Sequence, residues 1–297
     1  MKYLTIFTPT YNRAYILPKL YESLCREPSN LFIWLIVDDG STDNTQELVL
    51  RWQGEKKIEI VYHKQSNGGK MRAHNAGVKL CTTSLFFCID SDDQIENGAI
   101  RKIIDVYTML QADDSLSGVI AKKYMVNGND AQKLPVVVRS TLHNIYKSGF
   151  EGETSLIFKT AILRKFPFPE IEGELFVTEG YVYDQIDQEY ELLVLDDFLM
   201  RCEYLADGYT SNANSLFLKY PKGWALYFAQ HYRFYAKNIR DKIKYMGYYI
   251  SMCKLAKLPF FKMVELAPSS LICLLSIPVG MKFYNRVVLN SRKNEHI

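Results

Sequence analysis

The chain has 297 residues, of which 48% are hydrophobic and 13% aromatic, so it contains enough apolar material for one large or two modest globular domains. This composition excludes an intrinsically disordered protein. The formal net charge of +3 is unevenly distributed, because residues 219–297 contain 14 Lys or Arg and only 3 Asp or Glu, which leaves a balance of −8 for residues 1–218. We therefore expect the two parts of the chain to have different partners.

The spacing of cysteine and histidine residues argues against a disulfide framework or a zinc site. The six cysteines form no Cys-x-x-Cys pair, and several of them lie within apolar runs. The five histidines are isolated from one another. We interpret the cysteines as reduced core residues and expect a cytoplasmic protein.

The first hundred residues alternate between short apolar runs and amphipathic patterns. In chain order we predict a strand at 3–8, a helix at 16–26, a strand at 31–37, a helix near 44–52, a strand at 58–63, a helix near 71–80 and a strand at 85–89. This alternation is typical of βαβ units, so we predict an α/β fold with a Rossmann-like, mainly parallel central sheet flanked by helices. Ligands of such sheets bind at the carboxyl ends of the strands.

An acidic cluster follows the strand predicted at 85–89. Asp90-Ser91-Asp92-Asp93 places three carboxylates close together, where they repel one another unless a cation or hydrogen-bond donors compensate them. Hard oxygen ligands suit Mg²⁺ or Mn²⁺, and Mg²⁺ is usually held by one or two carboxylates together with substrate phosphates. The cluster therefore indicates a metal and nucleotide-diphosphate site, and the alternative is a solvated acidic turn.

Two further polar motifs follow the first and second predicted strands. Within Pro9-Thr10-Tyr11-Asn12, the Tyr11 ring is suited to stacking on a base, and the alternative is a packing tyrosine. Within Asp38-Asp39-Gly40-Ser41, the Asp39 carboxylate can accept a hydrogen bond from the imide N–H of uracil. The alternative for the second motif is a helix cap formed by Ser41 or by the threonine after it.

A glycine-rich segment, Asn67 to Gly77, lies between these motifs. Gly68 and Gly69 precede a predicted helix, whose N-terminal backbone N–H groups favour anions, and Lys70 and Arg72 add positive charge. The alternative is a flexible turn followed by a helix with a solvated basic face. We prefer the anion-binding interpretation because this loop should border the same sheet edge as the carboxylates.

The order and spacing of these four motifs resemble the family 2 inverting glycosyltransferases with the GT-A fold. The resemblance covers the first hundred residues and continues more loosely to about residue 210. It implies a nucleotide-sugar donor, most often UDP-linked, with Tyr11 and Asp39 at the base, Asp90 near the ribose, and Lys70 and Arg72 near the base or diphosphate. The donor-binding residues that it implies are Pro9, Thr10, Tyr11, Asn12, Asp39, Gly69, Lys70, Arg72, Asn75, Asp90 and Ser91. It also implies that Asp92, with Asp93 as its neighbour, binds the Mn²⁺ or Mg²⁺ ion.

The catalytic base is the site residue at which this chain departs from the family pattern. An inverting transfer needs a base that removes a proton from the acceptor hydroxyl group. Many family members place this base in a Glu-Asp pair at the start of a helix, whereas this chain has Glu179-Gly180. We predict Glu179 as the base, with Asp184 and Glu174 as alternatives, and the competing interpretation of Glu179 is a carboxylate that only stabilises a helix N-terminus.

The C-terminal part has a different pattern. Apolar residues recur at intervals of three and four from 224 to 250, which predicts an amphipathic helix. The apolar stripe consists of Trp224, Phe228, Tyr232, Tyr235, Ile239, Ile243, Met246 and Ile250, and a basic stripe beside it consists of Arg233, Lys237, Arg240 and Lys244. Because Lys254, Lys257 and Lys262 continue the basic charge, we predict docking on an anionic membrane surface, and the alternative is a packed helix with a solvated basic face. Residues 266–281 are strongly apolar but too short and broken for a membrane span.

These observations predict a catalytic domain at 1–215, with a nucleotide-sugar half at about 1–100 and an acceptor half at about 101–215, followed by a basic helical region at 216–297. The predicted function is metal-dependent sugar transfer to a glycan, with a lipid-linked acceptor and a peripheral location on the inner face of the plasma membrane. No nucleic-acid partner is expected. The alternatives are a sugar-phosphate nucleotidyltransferase and a non-catalytic partner subunit that binds a nucleotide sugar.

Overall fold

The computed structural model describes residues 2–126, 133–202 and 213–294. The chain divides into two compact units, which are Met1–Phe168 with Val182–Glu203, and Pro169–Tyr181 with Tyr204–Ile297. The segment Pro169–Tyr181 thus groups with the C-terminal unit. The predicted domain boundary after residue 215 stays a prediction, and the predicted limit of the family resemblance near residue 210 lies outside the described residues.

The seven elements predicted in the first hundred residues are confirmed, with ends shifted by a few residues. They are β1 (Leu4–Thr10), α1 (Leu17–Leu24), β2 (Phe32–Asp38), α2 (Thr45–Glu55), β3 (Ile60–Lys64), α3 (Lys70–Leu80) and β4 (Leu85–Cys88). β1 pairs in parallel with β2 and β4, and β2 pairs in parallel with β3. The βαβ pattern in the sequence therefore corresponds to a parallel half-sheet.

The rest of the first unit completes a mixed, mostly parallel sheet. Its elements are β5 (Gln94–Ile95), α4 (Ala99–Asp105), α5 (Tyr107–Ala112), β6 (Leu116–Met125), β7 (Arg139–Ser140), α6 (Leu142–Lys147), β8 (Thr154–Lys159), α7 (Thr160–Leu163) and β9 (Glu191–Cys202). The strand order is β3-β2-β1-β4-β8-β6-β9-β5, and β7 pairs with β9. Because β8 is antiparallel to both β4 and β6, those two strands run in the same direction and end at the same edge.

Both faces of β1 are buried, as expected for a central parallel strand. On one face, Ile6 belongs to the main core, in which Trp34 of β2 stacks on Trp52 of α2. On the other face, the Phe7 ring packs edge-on against His74 of α3. Helices on both sides of the sheet therefore fix its position and leave the strand ends as the exposed edge.

The helix α8 (Gly180–Ile186) spans the boundary between the two units, and the second unit is otherwise built from helices. They are α9 (Ala213–Lys219), α10 (Pro221–Tyr235), α11 (Ile239–Leu255), α12 (Phe260–Leu266), α13 (Ser270–Leu275) and α14 (Ile277–Asn294). α11 and α14 approach closely, because a Cβ atom at Gly280 would lie 2.6 Å from the Ile250 side chain. None of the helices in the described ranges is long and apolar enough to cross a membrane.

The prediction of one amphipathic helix over residues 224–250 is wrong, because the stripe is divided between α10 and α11. The Asn238 side chain accepts a hydrogen bond of 2.9 Å from the Asp241 backbone N–H and so begins a new helix. Phe228 and Met246 are buried in the core of the second unit, whereas Ile239 of the predicted stripe is 59% exposed. The burial supports the packed-helix interpretation of this segment.

The close contact between β6 and β8 gives a test of the sheet. An added Cβ atom at Gly118 would lie 1.9 Å from the backbone carbonyl oxygen of Ile157. Gly118→Ala should therefore lower the free energy of unfolding by about 1–3 kcal/mol, as measured by urea denaturation. At Gly54 of α2 there is no atom within 4 Å of such a Cβ. The matched control Gly54→Ala should leave stability unchanged or raise it by up to about 1 kcal/mol, and equal effects at the two positions would contradict the close approach of β6 and β8.

Candidate nucleotide and metal site

The carboxyl ends of β1, β2 and β4 bring the predicted motifs to one edge of the sheet. Thr10 at the end of β1 pairs with Asp38 at the end of β2. The Asp39 backbone N–H then donates a hydrogen bond of 2.8 Å to the Thr10 carbonyl oxygen. On the other side of β1, Ile89 donates to the Phe7 carbonyl oxygen at 2.9 Å, immediately before the acidic cluster. Continuous backbone pairing thus sets the spacing between the motifs.

The Asp39 carboxylate holds the glycine loop in place. It accepts a hydrogen bond of 2.7 Å from the Gly69 backbone N–H, bonds of 3.0 and 3.1 Å from Gly68, and one of 2.7 Å from Gln65 Nε2. Burial raises the pKa of Asp39, against the opposing effect of these donors. Gly69 has a φ of 88°, which a residue with a side chain rarely adopts. The loop therefore depends on both the carboxylate and the glycine.

The motif after β1 combines an exposed ring with a structural asparagine. Tyr11 is 48% exposed at the end of the strand. Asn12 adopts a φ of 54°, and its Oδ1 atom accepts a hydrogen bond of 2.8 Å from the Thr42 backbone N–H. Ser41 Oγ accepts a bond of 2.9 Å from the Asn12 backbone N–H, so it links two loops and does not cap α2. Pro9 and Thr10 are buried before this turn.

Lys70 and Arg72, which follow the glycine loop in the first turn of α3, make different contacts. Lys70, the first residue of α3, forms an ion pair of 2.8 Å with Asp90. The Arg72 side chain lies over Gly68, since a Cβ atom added there would be 2.4 Å from Arg72 Cδ. The pairing of Lys70 with Asp90 directly joins the glycine loop to the acidic cluster.

The carboxylates of the cluster have divergent pKa values. Burial would raise the pKa of Asp90, but the charges of Lys70, Lys123 and Arg13 and the hydrogen bond from Lys70 together outweigh it, and the pKa is lowered. Burial and the charge of Asp90 both raise the pKa of Asp92. Ser91 is buried between them. The ionised form of Asp92 is therefore disfavoured, and a nearby cation would stabilise it.

A further residue at this edge, Lys123 of β6, was not identified from the sequence. Its Nζ atom lies 3.6 Å from Asp93 Oδ2. Burial raises the pKa of Asp93 to about 7, against the lowering effect of Lys123. Burial alone would lower the pKa of Lys123, but the charges of Asp93 and Asp90 raise it. The only signal in the sequence is a pair of lysines that ends the apolar run Val119–Ala121, and nothing local relates that pair to the acidic cluster.

Asn75 of α3 lies against a neighbouring loop. Its Nδ2 atom donates a hydrogen bond of 2.8 Å to the Phe168 carbonyl oxygen, and its Oδ1 atom accepts one of 2.9 Å from the Phe168 backbone N–H. Both ends of the side-chain amide are therefore used by one backbone residue. This geometry favours a structural role for Asn75, and its predicted contact with the donor stays a prediction.

The donor set of the acidic cluster suits a hard divalent cation. Burial raises the pKa of Asp92, and the negative charge of Asp90 raises it further. Within residues 2–126, 133–202 and 213–294, no group of three or more His, Cys, Asp or Glu side chains is arranged to hold a metal ion. One or two carboxylates together with substrate phosphates are the usual environment of Mg²⁺ in nucleotide sites.

The candidate bases Glu174 and Glu179 belong to the second unit, where they differ in environment. The Glu174 carboxylate accepts hydrogen bonds of 2.7 Å from the Lys222 and Gly223 backbone N–H groups at the start of α10. Burial raises the pKa of Glu174, although these two donors act to lower it. Glu179 is half-buried immediately before α8, and Tyr227 of α10 packs against the adjacent Gly180. Glu174 thus caps the start of α10, and the assignment of the base to Glu179 stays a prediction.

The third candidate, Asp184, lies in α8 within the first unit and is half-buried. Its neighbour Asp187 accepts hydrogen bonds of 3.1 and 2.7 Å from the backbone N–H groups of Leu142 and His143 at the start of α6. Burial raises the pKa of Asp187 to about 6, and the charge of Asp184 adds to this increase. Asp187 therefore has a structural role that the sequence did not indicate.

Comparison with known proteins assigns the sequence to one family. Residues 5–171 match the profile of the family described as Glycosyl transferase family 2. The poly(ribitol-phosphate) β-N-acetylglucosaminyltransferase TarS of Staphylococcus aureus is 25% identical over 193 residues, which are 60% of this chain and 32% of TarS. A PGL/p-HBAD biosynthesis glycosyltransferase of Mycobacterium bovis is 27% identical over 198 residues, which are 67% of this chain and 68% of that protein.

Solved structures share the fold. The crystal structure of S. aureus TarS 1–349 in complex with UDP-GlcNAc covers 99% of this chain and 92% of its own, with a TM-score of 0.61 and 19% identity. The mannosyltransferase PcManGT of Pyrobaculum calidifontis, in complex with GDP-Man and Mn²⁺, covers 96% of this chain and 84% of its own, with a TM-score of 0.54 and 16% identity. Three of the curated relatives are matched over only 58%, 41% and 32% of their own lengths.

The Asn75 geometry predicts an effect on stability without an effect on nucleotide binding. Asn75→Ala leaves the Phe168 N–H and carbonyl groups without their partner, so the free energy of unfolding should fall by about 1–3 kcal/mol. Urea denaturation measures this loss, and calorimetric titration with UDP should give an affinity within about twofold of the wild type. A stable variant that no longer binds UDP would instead assign Asn75 to the donor site.

Proposed function

Because the chain belongs to glycosyl transferase family 2, we propose that it transfers a sugar from a nucleotide-sugar donor to a hydroxyl group of a glycan acceptor, with inversion and with a divalent metal. The observation that carries this proposal is the meeting of three motifs at one sheet edge. Tyr11, Asp39 and the cluster from Asp90 to Asp93 follow three adjacent parallel strands there. An aromatic ring, an acceptor for a base N–H and a metal-binding carboxylate are together what a nucleoside diphosphate requires.

We propose that the donor is a UDP-sugar. Tyr11 provides an exposed ring for stacking on the uracil base. Asp39 would accept a hydrogen bond from the imide N–H of uracil in place of one of the bonds that it accepts from Gln65, Gly68 and Gly69. The complex of the structural relative TarS with UDP-GlcNAc supports this choice of nucleotide. Lys70 and Arg72 lie in the first turn of α3, directly after the glycine loop, and their charge favours the diphosphate.

Asp92 is the proposed metal ligand, with Asp90 beside it. When bound, Mn²⁺ or Mg²⁺ would stabilise the negative charge that develops on the departing diphosphate. The structural relative PcManGT was solved in complex with GDP-Man and Mn²⁺, which supports a divalent metal together with the nucleotide-sugar donor in this chain. Lys70 and Lys123 both act to lower the pKa of Asp90, and Lys123 lies near Asp93.

Glu179 is the proposed base that removes the proton from the acceptor hydroxyl. Its competitor Glu174 has a structural role, because it accepts hydrogen bonds from two backbone N–H groups at the start of α10. The segment that carries Glu179 is held by α10, because Gln230 Nε2 donates a hydrogen bond of 2.9 Å to the Tyr181 carbonyl oxygen. Asp184 remains the alternative base.

We propose a glycan acceptor that is lipid-linked and belongs to surface polymer synthesis. The names of TarS and of the mycobacterial relative, which refer to a poly(ribitol-phosphate) polymer and to PGL/p-HBAD biosynthesis, support this class. A lipid-linked acceptor places the enzyme on the inner face of the plasma membrane, with the basic region 216–297 as the membrane-facing part and 1–215 as the catalytic part. The balance of +11 in residues 219–297 supports an anionic surface as its partner.

Release of products distinguishes this function from its rivals. A transferase releases UDP when it is given a UDP-sugar, Mn²⁺ and an acceptor. A sugar-phosphate nucleotidyltransferase instead releases pyrophosphate from UTP and a sugar phosphate. The replacement of the usual Glu-Asp pair by Glu179-Gly180 favours a second candidate, a non-catalytic subunit that binds the donor without turnover. Donor binding without release of UDP from any UDP-sugar tested with glycan acceptors would establish that candidate.

Asp92→Asn should remove the effect of the metal. The amide has no charge to attract Mn²⁺, so metal-dependent turnover should fall by about 100-fold or more. The increase in melting temperature on addition of UDP with Mn²⁺ should disappear as well. The control is Asp105→Asn, which changes an exposed carboxylate at the end of α4. Equal metal response in the two variants would exclude Asp92 as the ligand.

Glu179→Gln should abolish transfer and leave donor binding intact. Loss of a general base typically costs about 10²–10⁴-fold in rate, whereas the Kd for the donor, measured by calorimetry, should not change. Glu174→Gln is the matched control and should lower stability, because the caps on Lys222 and Gly223 weaken. Normal turnover by Glu179→Gln, or loss of turnover without loss of stability in Glu174→Gln, would contradict the assignment.

A further inference from the structure

The helices α12 and α13 present large apolar side chains to solvent. Phe261 is 85% exposed and Leu271 is 68% exposed. The other exposed apolar residues of these two helices are Phe260, Leu266, Leu274 and Leu275. We call these six residues the apolar face. Single exposed leucines are ordinary on protein surfaces, but six large apolar side chains within sixteen residues are not.

The exposure follows from how the two short helices pack. Met263 of α12 and Cys273 of α13 are buried in the core of the second unit. Leu271, Leu274 and Leu275 occupy positions i, i+3 and i+4 of α13, so they lie together on the side of the helix away from Cys273. Each helix therefore contributes one side to the core and leaves a second apolar side uncovered.

Basic residues flank and interrupt this apolar face along the sequence. Lys254 and Lys257 precede α12, Lys262 lies within it, and all three are exposed. Between residues 254 and 290 the chain has five Lys or Arg, the other two being Lys282 and Arg286, against the single acidic residue Glu265. Exposed apolar side chains among lysines match the interface of an anionic lipid bilayer, where the chains insert and the ammonium groups meet the phosphates.

We propose that the apolar face inserts into the interface of an anionic membrane, so that α12 and α13 form the membrane-docking element of this protein. This identifies the part of the protein that contacts the anionic membrane surface, and it therefore rests on the membrane partner named under the proposed function. The stripe on α10 and α11 cannot serve, because Phe228, Met246 and Ile250 are buried in the core. A second copy of the chain is a poorer occupant, since a two-fold contact would bring the lysines of both copies together.

Flotation with lipid vesicles tests the docking element in the full chain. The wild type should float with phosphatidylglycerol-containing vesicles at low salt and remain at the bottom with pure phosphatidylcholine vesicles. Phe261→Gln with Leu271→Gln should weaken partitioning at least about tenfold. Lys257→Gln with Lys262→Gln should weaken it roughly 30-fold on the anionic vesicles. The control, Leu50→Gln with Leu80→Gln, changes two exposed leucines of α2 and α3 and should float like the wild type.

Three results would overturn the proposal. The first is a wild type that remains at the bottom with anionic vesicles, and the second is flotation of the α12 and α13 variants to the same extent as the control. The third is sedimentation of an oligomer that the Phe261 and Leu271 changes dissociate, which would assign the face to self-association. The melting temperature of every variant reports folding, and its increase on addition of UDP with Mn²⁺ reports the donor site. Failure of docking is therefore distinguishable from failure of the proposed activity.

Discussion

Asp90, Asp92 and Asp93 lie within four residues of one another at the end of a buried strand, and their mutual repulsion has to be compensated. Two largely buried lysines from different parts of the chain provide part of that compensation. Lys70 at the start of α3 pairs with Asp90, and Lys123 on β6 lies near Asp93. Burial and the charge of Asp90 instead raise the pKa of Asp92. Burial also raises the pKa of Asp93, to about 7, so the two lysines compensate neither Asp92 nor Asp93 fully.

The glycine loop depends on the same edge of the sheet. Asp39 accepts backbone hydrogen bonds from Gly68 and Gly69, and Lys70 of the following helix pairs with Asp90. The residues proposed to contact the base and those proposed to contact the diphosphate are thus connected through one loop. A change at Asp39 is expected to alter the position of Lys70, and therefore the charge balance of the acidic cluster, as well as contact with the base.

The parallel half-sheet and the meeting of its motifs were predictable from the sequence, because β1, β2 and β4 are short, strongly apolar and each followed by a polar motif. Lys123 was not predictable, since its proximity to Asp93 arises from the pairing of β6 with β8, a contact between distant parts of the chain. Nor did periodicity distinguish one helix from two between residues 224 and 250, because α10 and α11 continue nearly the same apolar spacing across the break at Asn238. The caps at Glu174 and Asp187 likewise depend on tertiary contacts with α10 and α6.

The acidic cluster and a nucleoside diphosphate are proposed to bind one metal ion together. If they do, bound UDP must strengthen the binding of Mn²⁺, and bound Mn²⁺ must strengthen the binding of UDP by the same factor. Titration of the protein with Mn²⁺, followed by the electron paramagnetic resonance of free Mn²⁺ with and without saturating UDP, measures that coupling directly. We expect Mn²⁺ to bind weakly alone and at least about tenfold more tightly with UDP. Equal Mn²⁺ affinity in the presence and absence of bound UDP would contradict the account.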